Sequence, residues 1–386
     1  MSFWMIHGGT KHALRIMSVI CSSSILLYLY KKTKAVVRYF SHTSELLRIV
    51  SVYSKPLTAT DSAYVPSAHR LLYRIGDLAF YCVLQSVNLM RIACETDQSL
   101  LYSKMLLVER RYIESDQKNT SDAYIGRILT KKLFRELSPE ATLLKQSIKI
   151  ISDSFKLLHK LNELAATKYD TNSKTHEKML TDFWECAMPN EQLFQRNSKQ
   201  WQFLGFQGDD PATDFRGMGI LGLENLIYYA RTHPDSFQRV LANSHHPKAW
   251  FSMAIVGINI SSFVLSMHRQ RLLQKFFYKY GVSKDIYHEL YCFIFDAFES
   301  RWTSQNESLT VMDFERFFKQ FRAEFEVRIV SDEIHSGEVF VLDEGSSVLS
   351  YNRKIGEGVV GQGIASGSGK RAALESSPAT VHAKKD

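Results

Sequence analysis

The sequence predicts an all-α protein. Apolar residues recur every three to four positions over most of its 386 residues, and typical start signals precede several of these segments. One late stretch suggests strands instead. With 45% hydrophobic residues, the chain can fill a sizeable core and is expected to be globular over most of its length.

The first 60 residues form a basic segment. They hold eight Lys or Arg against one acid, Glu45, whereas the rest of the chain is nearly neutral despite a net charge of +8 overall. Within it, Ile16 to Tyr30 is an uncharged run of fifteen positions, which spans about 22 Å as a helix and is short for a bilayer core of roughly 30 Å. Membrane association through residues 1–40, a mitochondrial targeting peptide and an ordinary buried helix all remain open.

Helical patterns follow in order through the first half. Residues 67–93 and 99–113 each predict a helix rich in apolar residues. Ser138 is a good N-cap, and Pro139 suits the first helical position. One apolar stripe marks the long helix that begins there, formed by Leu144, Ile148, Ile151, Phe155 and Leu158.

The second half contains further helices. One begins near Leu221 and is stopped by the sequence THPD. Residues 250–267 are apolar enough to suggest a membrane span, but Gly257, Asn259 and four serines favour a buried core helix. Two later stripes are predicted core faces, formed by Ile286, Leu290, Phe293 and Ala297 and by Phe314, Phe317, Phe318, Phe321 and Phe325.

The composition changes after about Val330. Residues 338–351, EVFVLDEGSSVLSY, predict a weak hairpin with EGSS as its turn. The chain beyond Asn352 is mostly Gly, Ser, Ala and charge, which predicts a disordered tail. Its GxGxxG sequence at 356–361 lacks the strand, helix and following acid of a dinucleotide site.

Several function classes lack support. The nearly neutral body shows no basic face for nucleic acid, so no nucleic-acid partner is expected. The five cysteines include no CxxC pair, and no histidine spacing suits a metal, so neither a metal site nor a cofactor is expected. The cysteines are widely spaced and mostly in apolar surroundings, which indicates buried thiols in a reducing compartment.

The strongest signal is WQFLGFQGDDPATDFRGMGILG, residues 201–222. It contains five of the nineteen glycines, Gly205, Gly208, Gly217, Gly219 and Gly222, which permit positive φ and close backbone approach. Arg216 stands near its end. This arginine either pairs with Asp209, Asp210 or Asp214 to tie the loop together, or meets an anionic partner as an arginine does at a transferred phosphoryl group.

Residues 201–229, which continue that stretch as LENLIYY, closely resemble the signature of the ELMO (engulfment and cell motility) domain. The resemblance extends through HEKMLTDFWECAMPNEQLFQRNSKQW upstream and HPKAWFSMAIVGINISSFVL downstream. It covers about residues 172–328 and implies an all-helical domain. The preceding region, 61–171, is then a further helical region, and 329–386 is a weakly structured to disordered tail.

The resemblance is to the smaller ELMO-domain-containing group, because the chain has no room for the armadillo-type repeats and pleckstrin-homology domain of the large scaffolds. This group implies a GTPase-activating protein that stimulates GTP hydrolysis by an Arf or Arf-like small GTPase in its GTP-bound form. The arginine of TDFRG, Arg216 here, is the implied catalytic residue. Residues expected to shape the loop or bind the partner are Trp201, Phe206, Gln207, Asp210, Asp214 and Gly217.

Two alternatives remain. A non-catalytic adaptor would bind a small GTPase or its regulators without changing the hydrolysis rate. A hydrolase or nucleotide-binding enzyme has no supporting motif in the sequence. The basic N-terminus predicts attachment to the cytosolic face of an intracellular membrane, of the endoplasmic reticulum or the mitochondrion.

Overall fold

The computed structural model describes residues 23–53, 77–115, 121–330, 340–342 and 349–351. The start of the predicted apolar run, residues 16–22, lies outside these ranges, as do the start of the helix predicted over 67–93 and the glycine-rich tail.

The described residues are mostly helical, which confirms the all-α fold class. The helices before the glycine-rich stretch are α1 (Ser24–Ser41), α2 (Glu45–Tyr53), α3 (Asp77–Tyr102), α4 (Leu107–Glu114), α5 (Ser121–Lys131), α6 (Pro139–Ala166) and α7 (Lys174–Ala187). Those after it are α8 (Gly219–Thr232), α9 (Pro234–Ser244), α10 (Met253–Arg269), α11 (Gln274–Tyr280), α12 (Lys284–Thr303) and α13 (Phe314–Val330).

Helix α8 lies at the centre of the C-terminal half, where it contacts α6, α7, α10 and α12. Its residues are buried on nearly every side, from Leu221 to Ala230. Helix α6 joins this half to the earlier helices, because it also packs against α3, α4 and α5. The start of α6 follows the sequence prediction, since Ser138 Oγ accepts the Ala141 N–H and Pro139 is the first helical residue.

Helix α3 corrects one predicted boundary. The sequence suggests a break between residues 93 and 99, but α3 continues to Tyr102 and the helix ends before Ser103. The polar residues in that interval resemble a linker, yet Thr96 and Asp97 are buried. Arg271, which follows α10, forms an ion pair with Asp97, and this tertiary contact makes a polar segment suitable for the helix interior.

Helix α10 is a buried core helix, as predicted. Twelve of its residues are buried, including Gly257. A Cβ at Gly257 would lie 2.7 Å from both the Leu226 side chain and the Tyr291 hydroxyl, so glycine permits the close packing of α8, α10 and α12 here. No helix within the described part of the chain is long and apolar enough to cross a membrane.

Helices α12 and α13 share an aromatic interface. The predicted stripe on α13 faces the core, with Phe317, Phe318, Phe321 and Phe325 buried. Phe298 and Trp302 of α12 contact this stripe in mostly edge-on arrangements. Aromatic pairs of this geometry contribute about 0.5–1.5 kcal/mol beyond the area they bury.

Three buried acids on α12 bind polar groups of α8 and α9, which the hydrophobic pattern alone does not reveal. Glu289 accepts a hydrogen bond from Tyr228 at 2.6 Å, and Asp296 accepts one from Ser236 at 2.7 Å. The Arg239 guanidinium contacts Asp296 and Glu299. Because each carboxylate has a partner, this ladder fixes the register of α12 against α8 and α9.

Two short strands pair after α13. Strand β1 (Phe340–Leu342) is antiparallel to β2 (Leu349–Tyr351), with Phe340 opposite Tyr351. This confirms the hairpin predicted over residues 338–351, whose turn lies outside the described residues.

Candidate functional site

The glycine-rich stretch is anchored from beneath by buried aromatic side chains. Trp201 is fully buried, donates its indole N–H to the Arg196 carbonyl at 2.7 Å, and packs edge-on against Trp184 of α7. Phe206 lies against Trp201, and Phe215 lies against Phe206. These contacts hold the stretch on the helical core, so it is a compact loop with a fixed base.

Two short 3-10 helices form the loop itself, Lys199–Leu204 and Pro211–Arg216. Gly205 ends the first of them with a φ of 85°, in the left-handed region that favours glycine. A Cβ at Gly205 would lie 2.3 Å from the Met253 backbone nitrogen. Glycine therefore lets the loop cross directly over the start of α10.

Gly219 fixes the other end of the loop. Its φ is 50°, and a Cβ there would lie 2.3 Å from the Thr167 carbonyl oxygen. The neighbouring Ile220 N–H donates to that same oxygen at 3.0 Å. The start of α8 therefore abuts the residue that follows α6, which positions Arg216 beside this junction.

An ion pair with an upstream arginine binds the loop to α7. Arg196 Nη1 lies 2.8 Å from Asp210 Oδ1, and its Nε lies 2.9 Å from Glu177 Oε1. The guanidinium also lies over the Tyr169 ring, 5.8 Å from its centroid. Asp210 accepts the Ala212 N–H at 2.9 Å as well, so its carboxylate caps the second 3-10 helix while it pairs with Arg196.

Asp214 holds the middle of the loop. Its Oδ2 accepts the Gln207 backbone N–H at 2.8 Å, which joins the two halves of the loop. Burial raises the pKa of Asp214, while the hydrogen bond from Gln207 and the charge of Arg216 lower it to a smaller extent. The Gln207 side chain is exposed.

Arg216 is exposed at the end of the loop. Its Nε donates to the Thr213 carbonyl at 2.6 Å, which orients the side chain, whereas Nη1 and Nη2 bond to none of the described residues. Within the described part of the chain it forms no ion pair with Asp209, Asp210 or Asp214. Of the two alternatives for Arg216, the ion pair with these acids is not seen in the described part of the chain, where Arg196 pairs with Asp210 instead.

A cleft of about 490 Å³ borders the loop. Its lining includes Gln202, Phe203, Gln207, His245 and Trp250. Phe203 and Trp250 are both about half exposed, at 49% and 46%. The Phe203 ring stacks on His245 with centroids 4.4 Å apart, so this aromatic surface is held in place.

A protein-family model covers the region that holds this loop. The model of the ELMO/CED-12 family matches residues 159–318. Human ELMO domain-containing protein 2 is 32% identical over 245 residues, an alignment that covers 60% of this chain and 79% of the human protein. The chain belongs to the ELMO domain family.

Other members of the ELMO domain family show similar agreement. ELMO domain-containing protein B of Dictyostelium discoideum is 34% identical over 232 residues, which cover 58% of this chain and 80% of that protein. Mouse ELMO domain-containing protein 2 is 39% identical over 176 residues, 45% of this chain. That alignment spans 58% of the mouse protein, little more than half its length. No solved structure matches the chain.

Within this ELMO domain the predicted site residues separate into two groups. Trp201 and Phe206 are buried, and Asp210 and Asp214 are half-buried in contacts within the loop. The three that face solvent are Gln207, Arg216 and Gly217. The buried and half-buried residues support the loop, whereas the exposed ones are accessible to a partner.

Two glycines of the loop do not use the backbone freedom that the sequence predicts for them. Gly208 and Gly217 have neither a positive φ nor a close neighbour, and Gly217 has a φ of −78° because it continues the right-handed turn of the second 3-10 helix. Sequence reasoning also missed Arg196, Phe203 and His245. Arg196 lies in the upstream part of the motif, but its pairing with Asp210 follows from the fold alone. Within the described residues, no group of three or more His, Cys, Asp or Glu is placed to hold a metal.

Proposed function

We propose that this protein is a GTPase-activating protein for an Arf or Arf-like small GTPase in its GTP-bound form. Arg216 acts as an arginine finger, which enters the nucleotide site of the GTPase and neutralises the charge that develops on the transferred phosphoryl group. The nucleotide, Mg²⁺ and attacking water belong to the GTPase, so the protein supplies an arginine in trans and no independent active site.

The observation that carries this proposal is the state of the Arg216 side chain. Its terminal nitrogens form no hydrogen bond with the described residues, and its Nε is held by the Thr213 carbonyl. A guanidinium presented in this way can donate two parallel hydrogen bonds to phosphate oxygens without first breaking an ion pair. The base beneath it is rigid, because Phe215 is buried next to Phe206.

The cleft beside the loop favours the adaptor as the second candidate. Exposed Phe203 and Trp250 are aromatic residues of the kind that anchor protein interfaces, and they would bind a partner whether or not Arg216 is present. An adaptor would bind the GTPase or one of its regulators and leave the rate of GTP hydrolysis unchanged.

A panel of purified Arf-family GTPases separates the two candidates. Each is loaded with GTP and assayed for hydrolysis with the full chain, with Arg216→Ala, and with Arg231→Ala as an exposed-arginine control. Activation predicts stimulation of at least one GTPase that Arg216→Ala abolishes and Arg231→Ala retains. Binding of a GTPase that Trp250→Ala weakens, with no stimulation of any member of the panel, would support the adaptor.

We also propose where in the cell the protein is located. The protein is cytosolic and attached through residues 1–40 to the cytosolic face of the endoplasmic reticulum or the mitochondrion, with mitochondrial targeting as the alternative use of this segment. Support comes from the acid-free helix α1, which exposes a series of apolar side chains, Ile25, Leu26, Tyr28, Leu29, Val36, Val37, Tyr39 and Phe40. Lys32 is exposed beside them. Exposed apolar and basic side chains on one helix are typical of contact with an anionic membrane surface.

A further inference from the structure

Helix α4 has the reverse of the polarity expected for a helix at a water-exposed surface. One of its two acids, Glu109, points inward with 1% of its side chain exposed, and Lys131 and Arg127 bind it at 2.8 and 3.3 Å. Ile113 is buried as well, but three other apolar residues point outward, with Leu107 39%, Val108 53% and Tyr112 37% exposed. Surface helices normally bury their apolar side and expose their acids.

The residues around α4 extend this outward apolar surface. Together they form what we term the α4 patch, made of Tyr102, Met105, Leu107, Val108, Tyr112 and Leu133. Lys131 Nζ donates to the Met105 carbonyl at 3.0 Å, and Lys132 Nζ donates to Ser103 at 3.2 Å. These bonds join the segment before α4 to the end of α5, so the patch is one continuous surface.

Leu133 is exposed in a conformation that leucine rarely adopts. Its φ is 63°, in the left-handed region, and 46% of its surface is exposed. This conformation costs a non-glycine residue roughly 1–2 kcal/mol. The Leu133 N–H donates to the Thr130 carbonyl at 3.2 Å and the Phe134 N–H to the Leu129 carbonyl at 3.0 Å, so Leu133 ends α5 in a Schellman-type turn. The turn leaves about half of the Leu133 side chain exposed beside α4.

The charges of the patch are positive. Lys104 and Arg111 are exposed among its apolar residues, and neither forms an ion pair with a described residue. Burial and the nearby charge of Arg38 lower the pKa of Lys132, which reflects the crowding of cations here. Two described acids lie nearby: Glu136 is exposed and follows Arg135, and Glu114 of α4 is 34% exposed and pairs with Arg110 and Arg271. The patch therefore complements a negatively charged surface.

The patch is continuous with α1. Arg38 of α1 contacts the Met105 sulfur at 3.3 Å, which places the acid-free helix next to the patch. A bilayer interface can accept apolar side chains interspersed with cationic ones over a surface of any size. A single protein partner would instead have to be complementary to both α1 and the α4 patch. We propose that the α4 patch is a lipid-binding surface that docks the folded body on a membrane with anionic headgroups.

The patch follows α6 over most of its length. Leu133 lies before the start of α6, and the Glu114 carbonyl at the end of α4 lies 2.6 Å from His159 Nε2, in the last third of α6. The lipid proposal does not depend on GTPase activation.

Vesicle flotation with the full chain tests it. Vesicles contain phosphatidylcholine alone or with 30% phosphatidylserine. The patch variant carries Leu107→Gln, Val108→Gln and Tyr112→Gln, and the control carries Met312→Gln and Val327→Gln, two residues that are exposed elsewhere at 88% and 70%. The partition coefficient onto vesicles should fall about tenfold or more for the patch variant and less than about twofold for the control. Lys104→Gln with Arg111→Gln should lose about fivefold per charge on the anionic vesicles alone, from about 1 kcal/mol per base.

Other occupants of the patch give different results. If a second copy covers it, the wild-type chain is a dimer and the patch variant a monomer; if another segment of this chain covers it, the patch variant melts at a lower temperature. Either result, or unchanged partition of the patch variant, overturns the lipid proposal. GTP hydrolysis without vesicles should be the same for the patch variant and the wild type, which keeps this test separate from that of Arg216.

Discussion

Arg196 and Asp210 form the ion pair that holds the glycine-rich loop, with Nη1 and Oδ1 2.8 Å apart. Because Asp210 is bound in this way and Asp214 accepts the Gln207 N–H, neither acid pairs with Arg216. Arg196, upstream of the loop, thus supports it from behind, and Arg216 is exposed at its end. Substitution of Arg196 should therefore lower stability and GTPase stimulation together, whereas substitution of Arg216 should lower stimulation and leave the thermal midpoint unchanged.

Substitution Arg196→Ala should lower stability and GTPase stimulation together. It removes the contacts to Asp210 and Glu177 and leaves both carboxylates half-buried without their cation. We expect the free energy of unfolding to fall by about 2 kcal/mol and the thermal midpoint to fall by roughly 4–8 °C. Arg231→Ala is the matched control, since its side chain is 59% exposed and 3.9 Å from Asp182, and it should change stability by less than about 0.5 kcal/mol. Equal midpoints for the two variants would contradict this role for Arg196.

Substitution Gly219→Ala should destabilise the junction of α6 and α8. The new Cβ would approach the Thr167 carbonyl oxygen to 2.3 Å at a positive φ, and backbone must move to relieve the clash. We expect a loss of more than about 2 kcal/mol in thermal melts. Gly217→Ala is the control, because its Cβ would make only an ordinary contact, 3.9 Å from Ile258 Cγ2, at a φ of −78°, and its effect on the free energy of unfolding should stay within about 0.5 kcal/mol. Similar melting of the two variants would refute the close-approach argument.

Two buried histidines should make the protein less stable in mild acid. Burial lowers the pKa of His268 to about 4, and burial with the charge of Lys284 lowers that of His288 to about 3, from 6.5. Between its lowered pKa in the folded chain and 6.5, each histidine is protonated in the unfolded chain but not in the folded one. The unfolded chain therefore binds more protons, and stability falls as pH drops below about 6.5. Each histidine should lower the free energy of unfolding by about 2 kcal/mol between pH 7 and pH 5.

The variant His268→Gln isolates one of these contributions, because glutamine can keep the hydrogen bond to Ser154 without titrating. Its loss of stability between pH 7 and pH 5 should be about 2 kcal/mol smaller than that of the wild type. The measurement is the denaturant midpoint of both proteins at the two pH values. Parallel pH profiles would show that His268 is not protonated on unfolding in the way the pKa shift requires.

Local sequence signals predicted most of the helices and their inner faces. The N-cap Ser138 and the apolar stripe of α6 both act within a few turns of one helix, so the sequence alone reveals them. The end of α3 was misplaced because Asp97 is stabilised by Arg271, far away in the chain. Long-range pairing of this kind leaves no periodic pattern to detect.

The same limit applies to the candidate site. The motif identified the loop and Arg216, and glycine content correctly indicated tight backbone at Gly205 and Gly219. It did not distinguish them from Gly217, whose freedom is unused because the turn happens to continue in a right-handed conformation. Which acid pairs with which arginine depends on how α7 packs, and the loop sequence does not contain that information.

Deletion of residues 1–40 should shift the protein toward the soluble fraction of disrupted cells. It removes nearly all of α1, whose exposed apolar residues and basic flanks provide hydrophobic insertion and attraction to anionic lipid. Some membrane binding should remain through the α4 patch. A full-length protein found wholly in the soluble fraction would end the proposal of membrane attachment.

The most direct test of the central claim is single-turnover GTP hydrolysis by the stimulated GTPase with wild-type and Arg216→Lys protein, alongside thermal melts of both. Lysine keeps the charge but lacks the planar pair of donors, so it should recover little of an arginine-finger effect of roughly 10³ to 10⁵ in rate, or about 4 to 7 kcal/mol. The melts should coincide, because Arg216 forms no ion pair within the described part of the chain. A well-folded Arg216→Lys variant that retains full stimulation would contradict the account.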